Sequence, residues 1–129
     1  MSPTSKRVLI ADDNPVVRKA VCSLFTFDGF AVCGEAGDGA QAIEEAKQTR
    51  PDIVVLDFSM PVLDGIGAAK ALKRIMPHVP LILFTAHTSS ALEKDALAAG
   101  IGAIISKQQD PSDLVNKAQE LLSTQPARG

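Results

Sequence analysis

The sequence has no tryptophan and no tyrosine, only two cysteines, and no excess of positive charge. Cys22 and Cys33 stand within apolar stretches and not in a CxxC spacing, so we expect two small buried side chains rather than a metal or redox site. The formal net charge is −2, and there is no basic stripe of the kind that binds a nucleic-acid backbone. We therefore do not expect this chain to bind nucleic acid directly.

Long apolar runs are absent as well. No run approaches the ~20 residues of a transmembrane helix. The polar stretch Met1–Lys6, followed by the short run Val8–Ala11, does not fit a secretory signal peptide. We therefore expect a cytoplasmic protein that does not associate with membranes.

The composition is that of an ordinary folded domain. The 129 residues are 46% hydrophobic and 22% charged, which is typical of one globular unit. A chain of this length buries roughly two-thirds of its unfolded surface, so its core needs no disulfide. We expect a single domain over residues 1–129, with a core at about 7–122 and frayed ends at Pro3–Lys6 and Ser123–Gly129.

Short apolar runs alternate with longer amphipathic ones along the chain. Continuously apolar runs are typical of strands that are covered on both faces. The second run, Ala31–Cys33, is shorter and more mixed than the others, so we place it nearer an edge. Five runs predict strands: Val8–Ala11, Ala31–Cys33, Ile53–Leu56, Leu81–Phe84 and Ala103–Ile105.

The stretches between these runs have the apolar periodicity of helices. Asn14, Asp38 and Asp110 have the residue types that cap helix starts, and Gly29 and Gly100 stand where helix ends often require glycine. About five βα units in succession predict an α/β fold, a parallel sheet with helices on both faces.

Polar side chains follow several of the predicted strands. Because right-handed crossovers place the carboxyl ends of parallel strands along one edge, where ligands bind, these side chains should share a cleft. Asp12 and Asp13 follow the first strand, Asp57 ends the third, Thr85 closes the fourth and Lys107 lies two residues after the fifth.

Three carboxylates in one cleft repel each other. Two unit charges ~4 Å apart cost about 4 kcal/mol at an effective dielectric constant near 20, so either a proton or a divalent cation should lie among them. Mg²⁺ suits a few carboxylates with water, whereas Ca²⁺ takes more oxygen ligands and Zn²⁺ prefers histidine or cysteine. A carboxylate beside such a cation can attack phosphorus, and Asp57 is best placed to do so, with Asp12 and Asp13 on the metal side.

The segments LIADDNP, VVLDFSMPVLDG and LFTA, together with the lysine after AIIS, resemble the receiver domain of bacterial two-component response regulators. The resemblance covers about residues 7–122. It implies a doubly wound, flavodoxin-like sheet of strand order 2-1-3-4-5. It also implies a signalling protein, not an enzyme, which catalyses only its own phosphorylation and dephosphorylation.

The resemblance also implies partners and residue roles. A histidine kinase or a phosphotransfer protein would phosphorylate Asp57. Mg²⁺ would bind Asp12, Asp13, Asp57 and the backbone carbonyl of Ser59. Thr85 and Lys107 would sense the phosphoryl group and reset the face formed by the fourth helix, fifth strand and fifth helix, where a second copy or an output partner binds. Ser59 and His87 occupy positions that tune dephosphorylation.

Two positions depart from the family pattern. Ile104 stands at the switch position, three residues before Lys107, where receivers often have an aromatic ring that rotates inward. A branched aliphatic side chain cannot make that rotation. Gln108 follows Lys107 where the family usually has a proline, which is often joined to the lysine by a cis peptide bond. A peptide bond to glutamine favours the cis form far less. The loop that carries Lys107 should therefore have a different shape.

Two other functions stay open. One is a Mg²⁺-dependent phosphatase with an aspartyl nucleophile, similar to haloacid dehalogenases, although those typically need an acid where this chain has Ser59. The other is a flavin- or nucleotide-binding module, although three carboxylates would repel its phosphate without a metal. No DNA-binding domain follows Leu122, so we expect either a stand-alone receiver or one excised from a larger regulator.

Overall fold

Five parallel strands form one sheet in the order β2-β1-β3-β4-β5 in the computed structural model, which describes residues 5–124. The predicted fold class and strand order are therefore confirmed. The strands are β1 Arg7–Ala11, β2 Ala31–Ala36, β3 Ile53–Leu56, β4 Leu81–Thr85 and β5 Ala103–Ser106. The helices that connect and follow them are α1 Pro15–Phe27, α2 Gly39–Thr49, α3 Gly65–Ile75, α4 Ser90–Ala98 and α5 Pro111–Ser123.

Alternating side chains along the central strands supply two separate cores. In β1, Val8 and Ile10 contribute to the core under α1 and α5, whereas Leu9 and Ala11 contribute to the core under α2, α3 and α4. This division follows from the two-residue repeat of a strand. It explains why β1, β3 and β4 are apolar at nearly every position, since helices cover both faces of the sheet.

The two edge strands differ from the sequence prediction. β2 does lie at an edge, but it extends through Ala36 and is the longest strand, with a register shift after its pairing of Val32 with Val8. β5 also lies at an edge, although its run is continuously apolar, and Ala103 and Ile104 are only half-buried. Apolar continuity therefore did not separate central strands from an edge strand.

The predicted helix ends are confirmed by their contacts. The side chain of Asn14 accepts hydrogen bonds from the N–H groups of Val16 and Val17, and Asp38 and Asp110 cap α2 and α5 in the same way. Gly29 and Gly100 have φ angles of 95° and 88°, in the left-handed region that favours glycine. These glycines let the chain turn sharply after α1 and α4.

Residues near both ends of the described range have defined backbone contacts. Ser123 belongs to α5, and the carbonyl of Lys6 accepts a hydrogen bond from the N–H of Ala31, because both residues continue regular elements. Of the residues predicted to fray, 3–4 and 125–129 lie outside the described residues. No helix within residues 5–124 combines the length and apolar content that a bilayer crossing demands.

The two cysteines are free and half-buried, not fully buried as expected. Burial, followed by the charge of Glu35, raises the pKa of the Cys22 thiol to about 11. The Sγ of Cys33 lies 3.4 Å from the carbonyl oxygen of Val8, to which it donates. Cys22 is therefore a protonated, weakly reactive thiol at neutral pH.

Core packing predicts the stability of a matched pair of leucine variants. Leu114 of α5 is fully buried, whereas Leu97 of α4 is 77% exposed. We expect Leu114→Ala to lower the free energy of unfolding by about 2–5 kcal/mol because it leaves a cavity, and Leu97→Ala to change it by less than about 0.5 kcal/mol. Urea unfolding followed by far-ultraviolet circular dichroism measures both. Equal effects of the two variants would contradict the assigned core.

Candidate functional site

Four strands deliver polar residues to one edge of the sheet. Asp12 and Asp57 directly follow β1 and β3, and the N–H of Asp57 donates to the carbonyl of Ala11 at 2.9 Å. Thr85 is the last residue of β4, and its carbonyl accepts a 2.7 Å hydrogen bond from the N–H of Lys107. Backbone pairing between neighbouring parallel strands therefore sets how the site residues are placed relative to one another.

The carboxylates of Asp12, Asp13 and Asp57 form one cluster. An oxygen from each residue lies within 4.8 Å of an oxygen from the other two. Asp12 and Asp57 are only 2% and 6% exposed, whereas Asp13 is exposed to solvent. Oxygen donors with one side open to water suit Mg²⁺, which keeps several water ligands. The residues present therefore fit the predicted metal.

Lys107 places a cation against two of these acids. Its Nζ lies 2.9 Å from Oδ2 of Asp12 and 3.4 Å from Oδ2 of Asp57. Burial alone would lower the pKa of Lys107, but the hydrogen bond to Asp12 and the charges of Asp57 and Asp12 raise it overall. The Nζ also lies 5.8 Å from the centroid of the Phe84 ring, within the range of a cation–π interaction. Lys107 is therefore a firmly protonated neighbour of the carboxylate cluster.

The environment of Asp57 opposes its ionisation. Burial contributes most, and the charge of Asp12 adds to it, so the pKa of Asp57 lies above its ordinary value. Lys107 and a backbone hydrogen bond from Ser59 act in the opposite direction but do not cancel the rise. A bound cation would favour the ionised carboxylate in the same way that Lys107 does.

A cleft of about 620 Å³ opens beside the cluster and reaches α4. Thr85 is buried at its wall, and its hydroxyl donates to the carbonyl oxygen of His87 at 3.4 Å, near the upper limit of a hydrogen bond. Both positions predicted to modulate the site, Ser59 and His87, face this cleft. The lining includes Asp13, Asp57, Ser59, Thr85, His87 and Lys107.

The two departures from the family pattern lie close to Lys107. Ile104 is half-buried in β5 and pairs with Leu83 of β4. Gln108 is exposed, and its N–H donates to the Ser106 hydroxyl oxygen at 3.1 Å. Residues 5–124 contain no cis peptide bond. The loop that carries Lys107 is thus a turn after β5 that is held by local hydrogen bonds.

Sequence analysis missed two close supports of the site. Gly65 begins α3, and a Cβ atom there would lie 2.4 Å from the carbonyl oxygen of Asp57, so only glycine permits this approach. Asn14 was identified only as a helix cap, but its N–H also donates to Oδ1 of Asp12 at 2.9 Å. An Asp-Gly pair such as Asp64-Gly65 is typical of a turn, but it does not indicate the contact with Asp57, because that contact depends on how α3 packs.

Comparison with known proteins identifies what the chain resembles. The family model described as the response regulator receiver domain matches residues 8–119. The chain is 38% identical over 110 residues to chemotaxis protein CheY of Thermotoga maritima, covering 85% of this chain and 92% of CheY. It is 39% identical over 112 residues to the transcriptional regulatory protein PdtaR of Mycobacterium tuberculosis, covering 85% of this chain and 53% of PdtaR. It therefore spans only about half the length of PdtaR.

A solved structure is similar over most of the chain. The crystal structure of the CheX–CheY–BeF3–Mg²⁺ complex from Borrelia burgdorferi superposes with a TM-score of 0.85 and 30% sequence identity, covering 90% of this chain and 88% of the chain compared. Together with the family model, this likeness favours the receiver interpretation over the phosphatase and the flavin- or nucleotide-binding module that the residues alone left open.

The raised pKa of Asp57 predicts that Asp57→Asn stabilises the metal-free protein. Because the folded-state pKa is raised, the ionised carboxylate destabilises the fold above that pKa, and this penalty disappears as the pH falls towards the unfolded-state pKa. In EDTA at neutral pH we expect Tm to rise by about 2–6 °C, with a smaller gain at acidic pH. Calorimetry at several pH values measures this.

Glu44→Gln is the matched control because it removes the same charge from a side chain that is 65% exposed. This control should leave Tm nearly unchanged. A gain for Asp57→Asn that stayed constant across the pH range would show that ionisation of Asp57 does not cause it.

Proposed function

Since this chain belongs to the family of response regulator receiver domains, we propose that it is a phosphoacceptor and that Asp57 receives the phosphoryl group. A histidine kinase or a phosphotransfer protein would be the donor. The observation that carries the proposal is the convergence of three carboxylates with Lys107, whose Nζ lies 3.4 Å from Asp57. We take residues 7–122 to be a single receiver domain.

The transfer step follows from the chemistry of Asp57. One carboxylate oxygen of Asp57 attacks phosphorus in a phosphohistidine, and an O–P bond forms while the P–N bond breaks. The imidazole nitrogen leaves with the electron pair of the broken bond, and Asp57 becomes an acyl phosphate. Burial of Asp57 at 6% exposure keeps much of the surrounding water away from its carboxylate.

Asp12, Asp13, Asp57 and the backbone carbonyl of Ser59 would hold Mg²⁺. When bound, Mg²⁺ supplies positive charge that offsets the charge on the oxygens of the transferring group. The oxygen cluster of the three aspartates supports this assignment. The similar CheX–CheY complex from Borrelia burgdorferi contains BeF3 and Mg²⁺.

Lys107 and Thr85 would respond to the new group. The Lys107 ammonium would exchange part of its contact with Asp12 and Asp57 for a phosphoryl oxygen. The Thr85 hydroxyl would give up a long, 3.4 Å contact with the His87 carbonyl, so turning towards the phosphoryl group costs little. That turn would pull on the segment between β4 and α4.

The signal would leave through the face formed by α4, β5 and α5. Thr85 pairs with Ser106 of β5, so movement at the end of β4 reaches this face directly. Ile104 lies within this face and has no aromatic ring that could rotate inward. The change should therefore pass through the β4–α4 segment. Leu97 on α4 is 77% exposed and is available to a second copy or an output partner.

Intact-mass analysis after incubation with acetyl phosphate and Mg²⁺ tests the proposed phosphoacceptor. We expect the mass of one added phosphoryl group, in a linkage that is labile to base because an acyl phosphate is readily hydrolysed. Asp57→Asn and EDTA should each abolish the addition. Asp64→Asn is the matched control: Asp64 caps α3 on the same loop, and this variant should still be labelled. Labelling that persisted in Asp57→Asn would mean that another residue is the nucleophile.

The lifetime of the acyl phosphate tests the roles of Ser59 and His87. Because both residues line the cleft beside Asp57, the double change Ser59→Asn and His87→Ala alters the access of water to phosphorus. We expect a several-fold change in the half-life of the label after excess acetyl phosphate is removed. Thr88→Ala changes a neighbouring lining residue and should leave the half-life within about twofold. An unchanged half-life in the double variant would exclude the proposed role.

A further inference from the structure

Arg18 of α1 links Asp12, one of the proposed Mg²⁺ ligands, to the edge strand β2. Its Nη1 donates to the backbone carbonyl oxygen of Asp12 at 2.8 Å, and its Nε donates to Oε1 of Glu35 in β2 at 3.1 Å. The guanidinium also lies beside Gly37, where an added Cβ would be 3.6 Å from Nη1. The Arg18 side chain is 20% exposed, so these contacts are partly sheltered from solvent.

Asp12 has a hydrogen bond at each of its polar groups. Its N–H donates to the carbonyl of Ala36 at 3.0 Å. Its two carboxylate oxygens accept from the N–H of Asn14 and from Nζ of Lys107, both at 2.9 Å. The contact from Arg18 completes this set at the backbone carbonyl. That carbonyl belongs to the peptide bond between Asp12 and Asp13, so Arg18 restrains the orientation of the link between the two acids.

We propose that Arg18, held by Glu35, is a positioning residue for the cation site, because it fixes the Asp12–Asp13 peptide and thereby aims both carboxylates. This inference rests on the proposed function, because the site it serves is the proposed Mg²⁺ site. Arg18 itself does not touch the reacting atoms. Its fork of N–H donors can bind the carbonyl and the carboxylate at the same time, which a lysine ammonium cannot do with the same geometry.

The simpler alternative is that Arg18 only forms a surface ion pair between α1 and β2. Lys19 distinguishes this alternative from the positioning role. Lys19 Nζ binds the other oxygen of Glu35 at 3.0 Å, but its side chain is 70% exposed, and its hydrogen bond goes to Glu35 rather than to Asp12. Both cations lower the pKa of Glu35, the hydrogen bond from Lys19 contributing most. A role in stability alone would therefore appear in Lys19 variants as well, whereas a role in aiming Asp12 and Asp13 would belong to Arg18.

The test measures Mg²⁺ binding by isothermal titration calorimetry in the wild type, Arg18→Ala, Arg18→Lys and Lys19→Ala, with circular dichroism to check folding. Loss of an outer support of metal ligands typically weakens affinity by 10–100-fold, so we expect about a tenfold rise in Kd for Arg18→Ala and a smaller rise for Arg18→Lys. Lys19→Ala should stay within about twofold. Arg18→Lys keeps the test available if Arg18→Ala does not fold.

Amide hydrogen exchange of Asn14 in the metal-free protein gives a second readout. Its N–H is bonded to the Asp12 carboxylate, so exchange should be faster in the Arg18 variants and unchanged in Lys19→Ala. A wild type that bound no Mg²⁺ would refute the proposed metal site itself. A wild type that bound Mg²⁺, with the folded Arg18 variants binding within twofold of it or exchanging Asn14 at the wild-type rate, would overturn only the positioning role.

Discussion

The structure depends on keeping three carboxylates together at the end of an apolar sheet. Asp12 and Asp57 are buried at positions where their charges repel and where water solvates them poorly. Lys107 compensates part of this cost because its ammonium contacts both groups. The compensation is incomplete, as the raised pKa of Asp57 shows. The negative charge that Lys107 does not compensate favours the binding of a further cation.

The rest of the fold keeps this cluster in place. Parallel pairing of β1 with β3 and of β4 with β5 sets the strand ends level, and two apolar cores hold the sheet from both faces. A glycine at position 65 lets α3 begin against the carbonyl of Asp57. The Asp57 carboxylate is therefore supported by regular elements of the fold, and the segment between β4 and α4 lines the cleft beside it. This division suits the proposed function, in which Asp57 would receive a phosphoryl group and the β4–α4 segment would then move.

Sequence patterns predicted the number of elements, their order, the helix caps and the site residues that follow strands. These features depend on local chemistry: apolar runs form strands, Asn14 and Asp110 cap helices, and a parallel sheet gathers its carboxyl ends. The sequence patterns predicted the two edge strands, β2 and β5, less well. Glu35 is charged, yet it belongs to β2, because an edge strand leaves room for an ion pair with α1. Conversely, β5 lies at an edge although its run is continuously apolar, so its composition concealed its edge position.

The sequence by itself determined that Asp12, Asp13, Asp57, Thr85 and Lys107 share one edge, because the chain order of alternating strands and helices allows few topologies. Only the tertiary structure decided which of them touch and what supports them. Lys107 meets Asp12 across 95 positions of sequence. Arg18 reaches the Asp12 carbonyl only because α1 packs back over β1 and β2. Such contacts depend on how helices pack against the sheet and on side-chain geometry, which no local spacing in the sequence encodes.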